Sequence, residues 1–326
     1  MKKLLPLAAL VLLQQFADAP AVHAQASAAQ AAGRTKPSPL APSEIVAAAP
    51  KGDWTAIPAS DLLVMDLAPD AKGKPRRAVI QLMPPPFSQG WIGNIRTLAK
   101  AHWWDGLSIN RVQDNYVVQW GDANADDKAK AKSLPAGLMT MLESQYTIAR
   151  SMLKKPAHRR ADVTLQRDPF ATATGFQGGW PVARSETRQW PVHCYGMVGV
   201  GRDLSPNTGS GAELYVVIGH APRHLDRNIA LVGRVIEGIE FLSSLPRGHG
   251  GLGFYDLAQG DERVTIASIH PGTEVSGLLS YEYLSTESAS FAKYADARAN
   301  RRDPFFIRPA GGADICNIPV PVRRVK

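Results

Sequence analysis

Cysteine is scarce in this sequence, with two residues among 326, and no Cys-x-x-Cys pair occurs. The eight histidines show no spacing that is typical of a zinc site. Ser210-Gly211 lacks the strand, turn and helix context of a nucleophile elbow, and Gly209-Ser210-Gly211 is not followed by a P-loop lysine. These absences argue against metal, redox and phosphate-binding motifs, and we expect neither a metal nor a cofactor.

Long apolar segments and dense basic runs are also missing. Beyond the first residues, no segment is long and apolar enough to span a bilayer. The formal net charge is +8, but the sequence has no dense basic run beyond Lys154-Lys155 and His158-Arg159-Arg160. Nucleic-acid-binding proteins usually carry a concentrated basic stripe interleaved with aromatic residues. We therefore expect no membrane insertion and no nucleic-acid partner.

The beginning of the chain has the pattern of a secretory signal peptide. Two lysines precede the apolar run Leu4–Leu13, and small residues follow at Ala21, Ala24 and Ala26. A charged start, about ten apolar residues and small residues at a cleavage site are typical of such signals. The pattern predicts a signal peptide at 1–24, cleavage after Ala24 or Ala26, and a periplasmic or secreted protein.

The segment 25–50 consists largely of alanine, proline and serine. It has almost no large apolar residues to bury, so we predict a disordered linker there. A lipid anchor would require a cysteine near the cleavage site, and the sequence has none there. This pattern favours a free protein over an anchored one.

Regular structure is predicted from residue 62 onwards. Leu62–Leu67 and Ala78–Leu82 are short apolar runs separated by a turn rich in proline and glycine, which predicts a β-hairpin. A helix should follow over 88–102, with Ser88 placed to cap it. Its apolar residues recur at helical spacing: Trp91, Ile92, Ile95, Leu98 and Ala99.

A single arginine, Arg111, lies between two apolar runs in the stretch Trp103–Asp122. A polar turn at 113–115 should bring Arg111 back beside a strand that contains Tyr116, Val117 and Gln119. Since side chains alternate between the two faces of a strand, 111, 117 and 119 should share one face. The pattern places a guanidinium beside an aromatic, an aliphatic and an amide side chain.

This stretch resembles the signature of the cyclophilin-type peptidyl-prolyl isomerases. That family has Tyr-Tyr-Asp-Gly and then Phe-His-Arg-Val-Ile-Pro-x-Phe-Met-x-Gln-Gly-Gly-Asp. Trp103-Trp104-Asp105-Gly106 resembles the first part, and Arg111 matches the arginine that the family uses as its catalytic residue. Tyr116-Val117 matches Phe-Met, and Gln119 matches the glutamine. The resemblance implies a mainly β fold, a closed antiparallel β-barrel of about eight strands with helices capping its ends.

Two further blocks follow in the family's order. The first runs from Gly196 to Ile218 and resembles Gly-x-x-Ser-Met-Ala-(Asn/Arg), Pro-Asn-(Thr/Ser) and Gln-Phe-Phe-Ile. The second begins with His224-Leu225-Asp226 and continues through Val232-Gly233-Arg234-Val235. Ile229 stands where the family often has His or Tyr. The resemblance implies that these blocks supply the remaining substrate-binding residues: Gly201, Arg202, Glu213, Tyr215, His224 and Leu225.

The same resemblance divides the chain into regions. The barrel domain would cover 51–267, with an insertion at 123–192, and 268–326 would be a C-terminal extension packed on the barrel. Within the insertion, 134–153 has a helical pattern, and 170–190 is typical of a loop with brief strands. Within the extension, 285–300 predicts a helix and 315–320 a strand-like tail.

The activity that the resemblance implies is isomerisation of Xaa-Pro bonds in unfolded or flexible exported polypeptides, by a monomer. Arg111 would donate to the twisted amide, while Tyr116, Val117, Tyr215 and Leu225 would hold the proline ring. The alternative is a binding or chaperone module with weak or no catalysis, which the altered pocket residues suggest. A guanidinium beside Gln119 favours the catalytic alternative.

Cys194 and Cys316 are the only two cysteines. An exported chain meets an oxidising compartment, where an even count favours a disulfide. Such a bond would tie the tail to the barrel. Two buried free thiols, which behave as small apolar residues, are the alternative.

Overall fold

The computed structural model describes residues 38–153, 168–256, 258 and 262–325. The predicted signal peptide and the part of the predicted linker before residue 38 lie outside these residues. In the described ranges, no helix combines the length and apolar character that crossing a membrane requires.

The described chain is mainly β, with four α-helices and several short 3-10 turns. The strands are β1 (Trp54–Ile57), β2 (Leu62–Leu67), β3 (Arg76–Leu82), β4 (Ser108–Val112), β5 (Val117–Gly121), β6 (Ile148–Ala149), β7 (Ala173–Gln177), β8 (Trp180–Arg184), β9 (Arg188–Pro191), β10 (Met197–Val200), β11 (Leu214–Val217), β12 (Leu231–Glu237), β13 (Ile266–Pro271), β14 (Tyr281–Leu284) and β15 (Val322–Arg324). The helices are α1 (Pro42–Ala47), α2 (Gln89–Lys100), α3 (Ile239–Ser243) and α4 (Ala289–Ala299).

Eight of these strands form one antiparallel, nearly closed barrel in the order β13-β2-β3-β12-β10-β11-β5-β4. The two edge strands meet through backbone hydrogen bonds, including Ile109 N to Val264 O (3.0 Å) and Ile266 N to Leu107 O (2.8 Å). The predicted eight-stranded barrel is confirmed. The predicted boundary at 267 is wrong, because β13 is a barrel strand and continues to Pro271.

The barrel core is filled by alternate apolar residues of the strands and by the apolar face of helix α2. On β2, Leu63, Met65 and Leu67 belong to the main core cluster, whereas Leu62 packs into a separate cluster. The apolar stripe of α2 joins the same core, as its spacing predicts. Ser88 does not cap this helix, contrary to prediction, because its backbone is left-handed at φ 54° and its side chain makes no cap hydrogen bond. A capping residue normally has extended backbone.

The insertion packs against the barrel core but lacks the predicted helix at 134–153. In its place are 3-10 turns at Glu143–Tyr146 and Arg150–Met152 and the short strand β6. The apolar residues do not share one face, since Met141 is buried while Leu142 is 69% exposed. The brief strands predicted at 170–190 exist as β7, β8 and β9, and with β6 they form a four-stranded sheet in the order β6-β9-β8-β7. Trp180 and Trp190 of this sheet belong to the barrel's core cluster.

β14 and β15 of the C-terminal extension form a second small sheet with β1, which lies in the predicted barrel domain, in the order β1-β14-β15. The predicted helix at 285–300 is confirmed at Ala289–Ala299, and Ser288 caps it by accepting from Phe291 N (3.0 Å). The predicted strand-like tail is wrong at Ile315–Asn317, which forms a 3-10 turn because the Asp314 carboxylate accepts from Cys316 N. The strand that follows in the described chain, β15, begins only at Val322, after the predicted segment.

The predicted disorder of the linker is wrong for residues 38–50. Helix α1 forms there and Ala49 is buried in a cluster with Trp54, Leu284 and Phe291. Ile45 and Val46 of α1 pack against the same cluster, so this segment has apolar side chains of its own to bury.

Cys194 and Cys316 form a disulfide in the structure. Cys194 precedes β10 of the barrel, and Cys316 lies in the C-terminal extension. This is the first of the two alternatives that the sequence left open.

Candidate active site

The candidate site lies on the outer face of the barrel, across strands β4, β5 and β11. Arg111 pairs with Gln119 in the register of β4 and β5, and Gln119 pairs with Tyr215 in the register of β5 and β11. Val118 and Val216, the alternate residues, belong to the barrel core. Directly opposed residues of neighbouring strands share a face. Arg111, Gln119 and Tyr215 therefore form a row across three strands.

The Arg111 guanidinium is held by three acceptors. Nη1 donates to Gln119 Oε1 (3.3 Å), Nε donates to Leu252 O (2.7 Å), and Nη2 donates to Gln113 Oε1. A guanidinium has five N–H donors, so these contacts leave two for a ligand. Partial burial lowers the pKa of Arg111, opposed by Tyr116, but a guanidinium stays charged at neutral pH. The side chain is fixed, charged and still able to donate.

Two aromatic rings lie near the guanidinium. The Cζ atom of Arg111 is 5.6 Å from the ring centroid of Tyr116 and 5.3 Å from that of Phe254. Sequence reasoning missed Phe254, Leu252 and Gln113. Gln113 was assigned only to a turn, and the loop that contains Leu252 and Phe254 has no motif that marks it.

An apolar cluster next to the row forms the candidate proline pocket. Val117, Tyr215 and Val217 are buried, and Tyr116, Leu225 and Ile229 pack against them. The exposed His224 ring stacks on Tyr116 with the ring centroids 6.1 Å apart. The structure therefore brings together Tyr116, Val117, Tyr215, His224 and Leu225, as the sequence predicts. Their role in substrate binding stays a prediction.

A buried series of hydrogen-bonded side chains holds the Tyr215 hydroxyl in place. Its hydroxyl is 2.9 Å from His193 Nε2, and His193 Nδ1 is 2.9 Å from Asp226 Oδ1. Arg223 Nε donates to the other Asp226 oxygen (2.6 Å), and its Nη1 donates to Asp168 (2.7 Å). An ionised carboxylate only accepts, so His193 Nδ1 donates to Asp226, while His193 Nε2 lies at hydrogen-bond distance from the Tyr215 hydroxyl.

Burial and neighbouring charges shift the pKa values of Asp226 and Tyr215 in this hydrogen-bonded series. Burial alone would raise the pKa of Asp226, but the hydrogen bond from His193 and the charge of Arg223 hold it below its ordinary value. Burial raises the pKa of Tyr215 well above its ordinary value, so the phenol stays neutral. Sequence reasoning missed His193 and Arg223, because only the folded chain brings them to Tyr215.

Gly201, Arg202 and Glu213 form the far side of the site. Gln119 Nε2 donates to Glu213 Oε2 (3.2 Å), which links Glu213 to Arg111 through the same amide. A Cβ on Gly201 would lie 2.8 Å from Glu213 Cβ, so a larger residue there would displace Glu213. The Arg202 side chain donates to Asn228 O and Asp203 O. The role of Arg202 in substrate binding stays a prediction.

Glu213 carries a perturbed carboxyl group. Burial raises its pKa to about 7 from an ordinary value of 4.5, although the hydrogen bond from Gln119 opposes the shift. The folded chain therefore binds this proton more strongly than the unfolded chain does. The resulting stabilisation is fully present below pH 4.5 and is lost as the pH rises to about 7.

We expect Glu213→Gln to flatten the pH dependence of stability. One pKa unit corresponds to about 1.4 kcal/mol, and residual solvent contact reduces the effect, so the wild-type protein should lose ~1–2 kcal/mol more than the variant between about pH 5 and 7. Urea unfolding at several pH values measures this loss. The exposed Glu186→Gln is the matched control. Parallel curves for wild type and Glu213→Gln would contradict the prediction.

Comparison with known proteins agrees with this architecture. The family model for the cyclophilin type peptidyl-prolyl cis-trans isomerase/CLD matches residues 91–269, more than half of the chain. No curated protein matches the sequence significantly.

A solved cyclophilin shares this fold. Cyclophilin AquaCyp293 from Hirschia baltica is 18% identical, with a TM-score of 0.58 over 83% of this chain and 93% of that chain. A cyclophilin-type isomerase from Cryptosporidium parvum, solved in the presence of the dipeptide Ala-Pro, is 9% identical, with a TM-score of 0.36 over 64% of this chain and 98% of that chain. The match at 91–269 confirms the resemblance that the Arg111 stretch and the later blocks predict. The chain belongs to the family of cyclophilin-type peptidyl-prolyl cis-trans isomerases.

Proposed function

We propose that this protein accelerates Xaa-Pro isomerisation in exported proteins by stabilising the twisted amide with Arg111. The observation that carries the proposal is a fixed guanidinium with two N–H donors to spare beside the pocket of Val117, Tyr215 and Leu225. Export rests on the charged, apolar and small-residue pattern at 1–24 and on the disulfide.

The chemistry requires no nucleophile. The prolyl C–N bond has partial double-bond character, which gives a barrier of ~18–20 kcal/mol. As the amide twists, the nitrogen becomes pyramidal and its lone pair becomes an acceptor. A donor that meets this lone pair binds the twisted state better than either planar state, which lowers the barrier. Arg111 would be that donor, and Gln119 would both orient Arg111 and bind peptide backbone.

The apolar pocket would hold the proline ring while the preceding carbonyl rotates. Tyr215 is suited to this task because His193 fixes its hydroxyl, so the ring is a rigid wall. Peptide backbone would run along Gly201 and Arg202, with Glu213 and His224 at the ends of the site. The partner implied is a flexible Xaa-Pro polypeptide, bound by a monomer.

A binding module with little catalysis is the second candidate. Two observations favour it: Ile229 adds an apolar side chain to the pocket where the family often has His or Tyr, and Glu213 replaces the family's glutamine. Exchange NMR on a short Ala-Pro peptide separates the two candidates. We expect the protein to accelerate cis-trans exchange; peptide binding without acceleration would favour the binding module.

Leu225→Ala should raise KM with little change in kcat. The pocket contacts the proline ring in the planar and the twisted state alike, so the lost contact is uniform binding. Removing part of a half-buried Leu side chain at about 0.8 kcal/mol per buried CH₂ corresponds to a KM increase of ~5–10-fold. The same peptide assay measures both constants. Leu142→Ala, which changes a leucine that is 69% exposed, is the control and should leave KM unchanged.

A large fall in kcat with Leu225→Ala would contradict the pocket assignment. An unchanged KM would place the proline ring elsewhere.

A further inference from the structure

Three potential metal ligands converge outside the Arg111 site. His102 Nδ1 lies 2.7 Å from His270 Nε2 and 3.4 Å from Asp105 Oδ2, and His270 Nε2 lies 3.1 Å from the same carboxylate oxygen. His102 follows α2, Asp105 lies in the turn before β4, and His270 belongs to β13. The sequence hid this group because 165 residues separate Asp105 from His270.

The structure holds the three side chains in this arrangement. Asp105 Oδ1 accepts from Ile269 N (3.2 Å), which turns Oδ2 towards both imidazoles. The two imidazole rings are perpendicular, with centroids 4.4 Å apart, so their nitrogens meet edge to face. The side chains of His102, Asp105 and His270 are 51%, 31% and 29% exposed, respectively, so an ion can reach them from solvent.

We propose that His102, Asp105 and His270 bind a divalent first-row transition metal ion, with water in the remaining position. Two imidazoles and a carboxylate are the donor set of such ions, whereas Mg²⁺ and Ca²⁺ prefer oxygen ligands. A tetrahedral zinc ion with ligand distances of ~2.0–2.2 Å places its ligands ~3.3–3.6 Å apart. Two of the three separations, 3.1 and 3.4 Å, lie within or close to this range, so the main movement required is to part the two imidazole nitrogens.

Instead of a metal ion, a proton could lie between the His102 and His270 nitrogens. If one of the two facing nitrogens carries hydrogen, a hydrogen bond between His102 and His270 accounts for their 2.7 Å distance. A metal ion replaces that hydrogen bond, since both nitrogens must then offer lone pairs.

A metal at this place would join the two edges of the barrel. Asp105 leads into β4, and His270 belongs to β13, the two strands between which the barrel is nearly closed. Binding should therefore stabilise the folded state. The inference is independent of the isomerase activity proposed for Arg111.

The test is Zn²⁺ binding to the untagged protein after treatment with a chelator. Isothermal titration should show one ion per chain, and zinc at about 100 times its dissociation constant should raise the thermal midpoint by about 5 °C. Co²⁺ should give the visible absorption typical of a tetrahedral nitrogen and oxygen site. No stoichiometric binding would overturn the proposal and leave the hydrogen bond as the occupant.

Three conservative variants locate the ion. His102→Asn tolerates the left-handed backbone at φ 50°, His270→Gln keeps a polar atom at the same reach, and Asp105→Asn keeps an acceptor for Ile269 N. Each should weaken zinc binding by more than tenfold, because even partners of metal ligands contribute ~10–100-fold. The exposed His220→Gln should bind zinc as the wild type does. Zinc binding unchanged in all three variants would overturn the proposal.

Discussion

Arg111→Ala should lower kcat/KM for Xaa-Pro isomerisation by ~10²–10³-fold, the usual effect of removing one transition-state donor. The effect should lie in kcat, because the amide nitrogen offers its lone pair only when the bond is twisted. The measurement is exchange NMR or protease-coupled isomerisation on a short Ala-Pro peptide. The fold should persist, since Arg111 is half-buried and its contacts are to three acceptors at the surface of the barrel.

Arg111→Lys separates charge from geometry. A lysine keeps the positive charge but offers a single ammonium, which cannot bind Gln119, Leu252 O and a substrate nitrogen together. We therefore expect most of the activity to be lost in this variant as well. Arg96→Ala, which removes an arginine paired with Asp61 on the surface, is the matched control. Equal activity of Arg111→Ala and the control would exclude Arg111 as the catalytic donor.

The row of Arg111, Gln119 and Tyr215 shows what the sequence could predict. Strand alternation and a short turn place Arg111 opposite Gln119 within ten residues of chain, so the local pattern contains most of the information. The hairpin β2–β3 and helix α2 were predicted for the same reason. Their apolar periodicity matches the face that is buried.

The helix predicted at 134–153 failed because periodicity alone does not establish burial. Pro135 and Gly137 interrupt the segment, and the core accepts Met141 and Tyr146 while leaving Leu142 and Met152 in solvent. The apolar residues follow a helical pattern, but the tertiary contacts bury only some of them, and these do not lie on one helical face.

The polar chain behind Tyr215 was beyond sequence reasoning for another reason. His193 and Asp226 are separated by 33 residues and Arg223 and Asp168 by 55, so their contacts exist only once the insertion has packed on the barrel. Each residue alone is an ordinary polar residue. The insertion thus contributes Asp168 to a buried chain that ends in the wall of the candidate pocket, which gives it a structural role in the site.

Loss of the disulfide between Cys194 and Cys316 should cause the largest change in stability. The bond joins residues 122 positions apart, and in the chain-entropy model a loop of that length contributes ~4–5 kcal/mol by restricting the unfolded chain. The tail it anchors also contributes Ile315 and Ile318, both buried. Without the bond, the tail must hold its place through those contacts, the pairing of β15 with β14 and the hydrogen bond from the Tyr294 hydroxyl to Pro319 O.

Urea unfolding with and without reductant measures this effect. We expect the urea midpoint of the wild type to fall on reduction. The double variant Cys194→Ala/Cys316→Ala should have a low midpoint that does not change with reductant. Because the bond acts mainly on the unfolded state, both folded forms should keep the same barrel signals in circular dichroism at low urea. Thiol titration of the unfolded, unreduced protein purified from an oxidising compartment should find no free thiol. Two free thiols there would contradict the disulfide, and the tail would then depend on its packing and its strand pairing with β14.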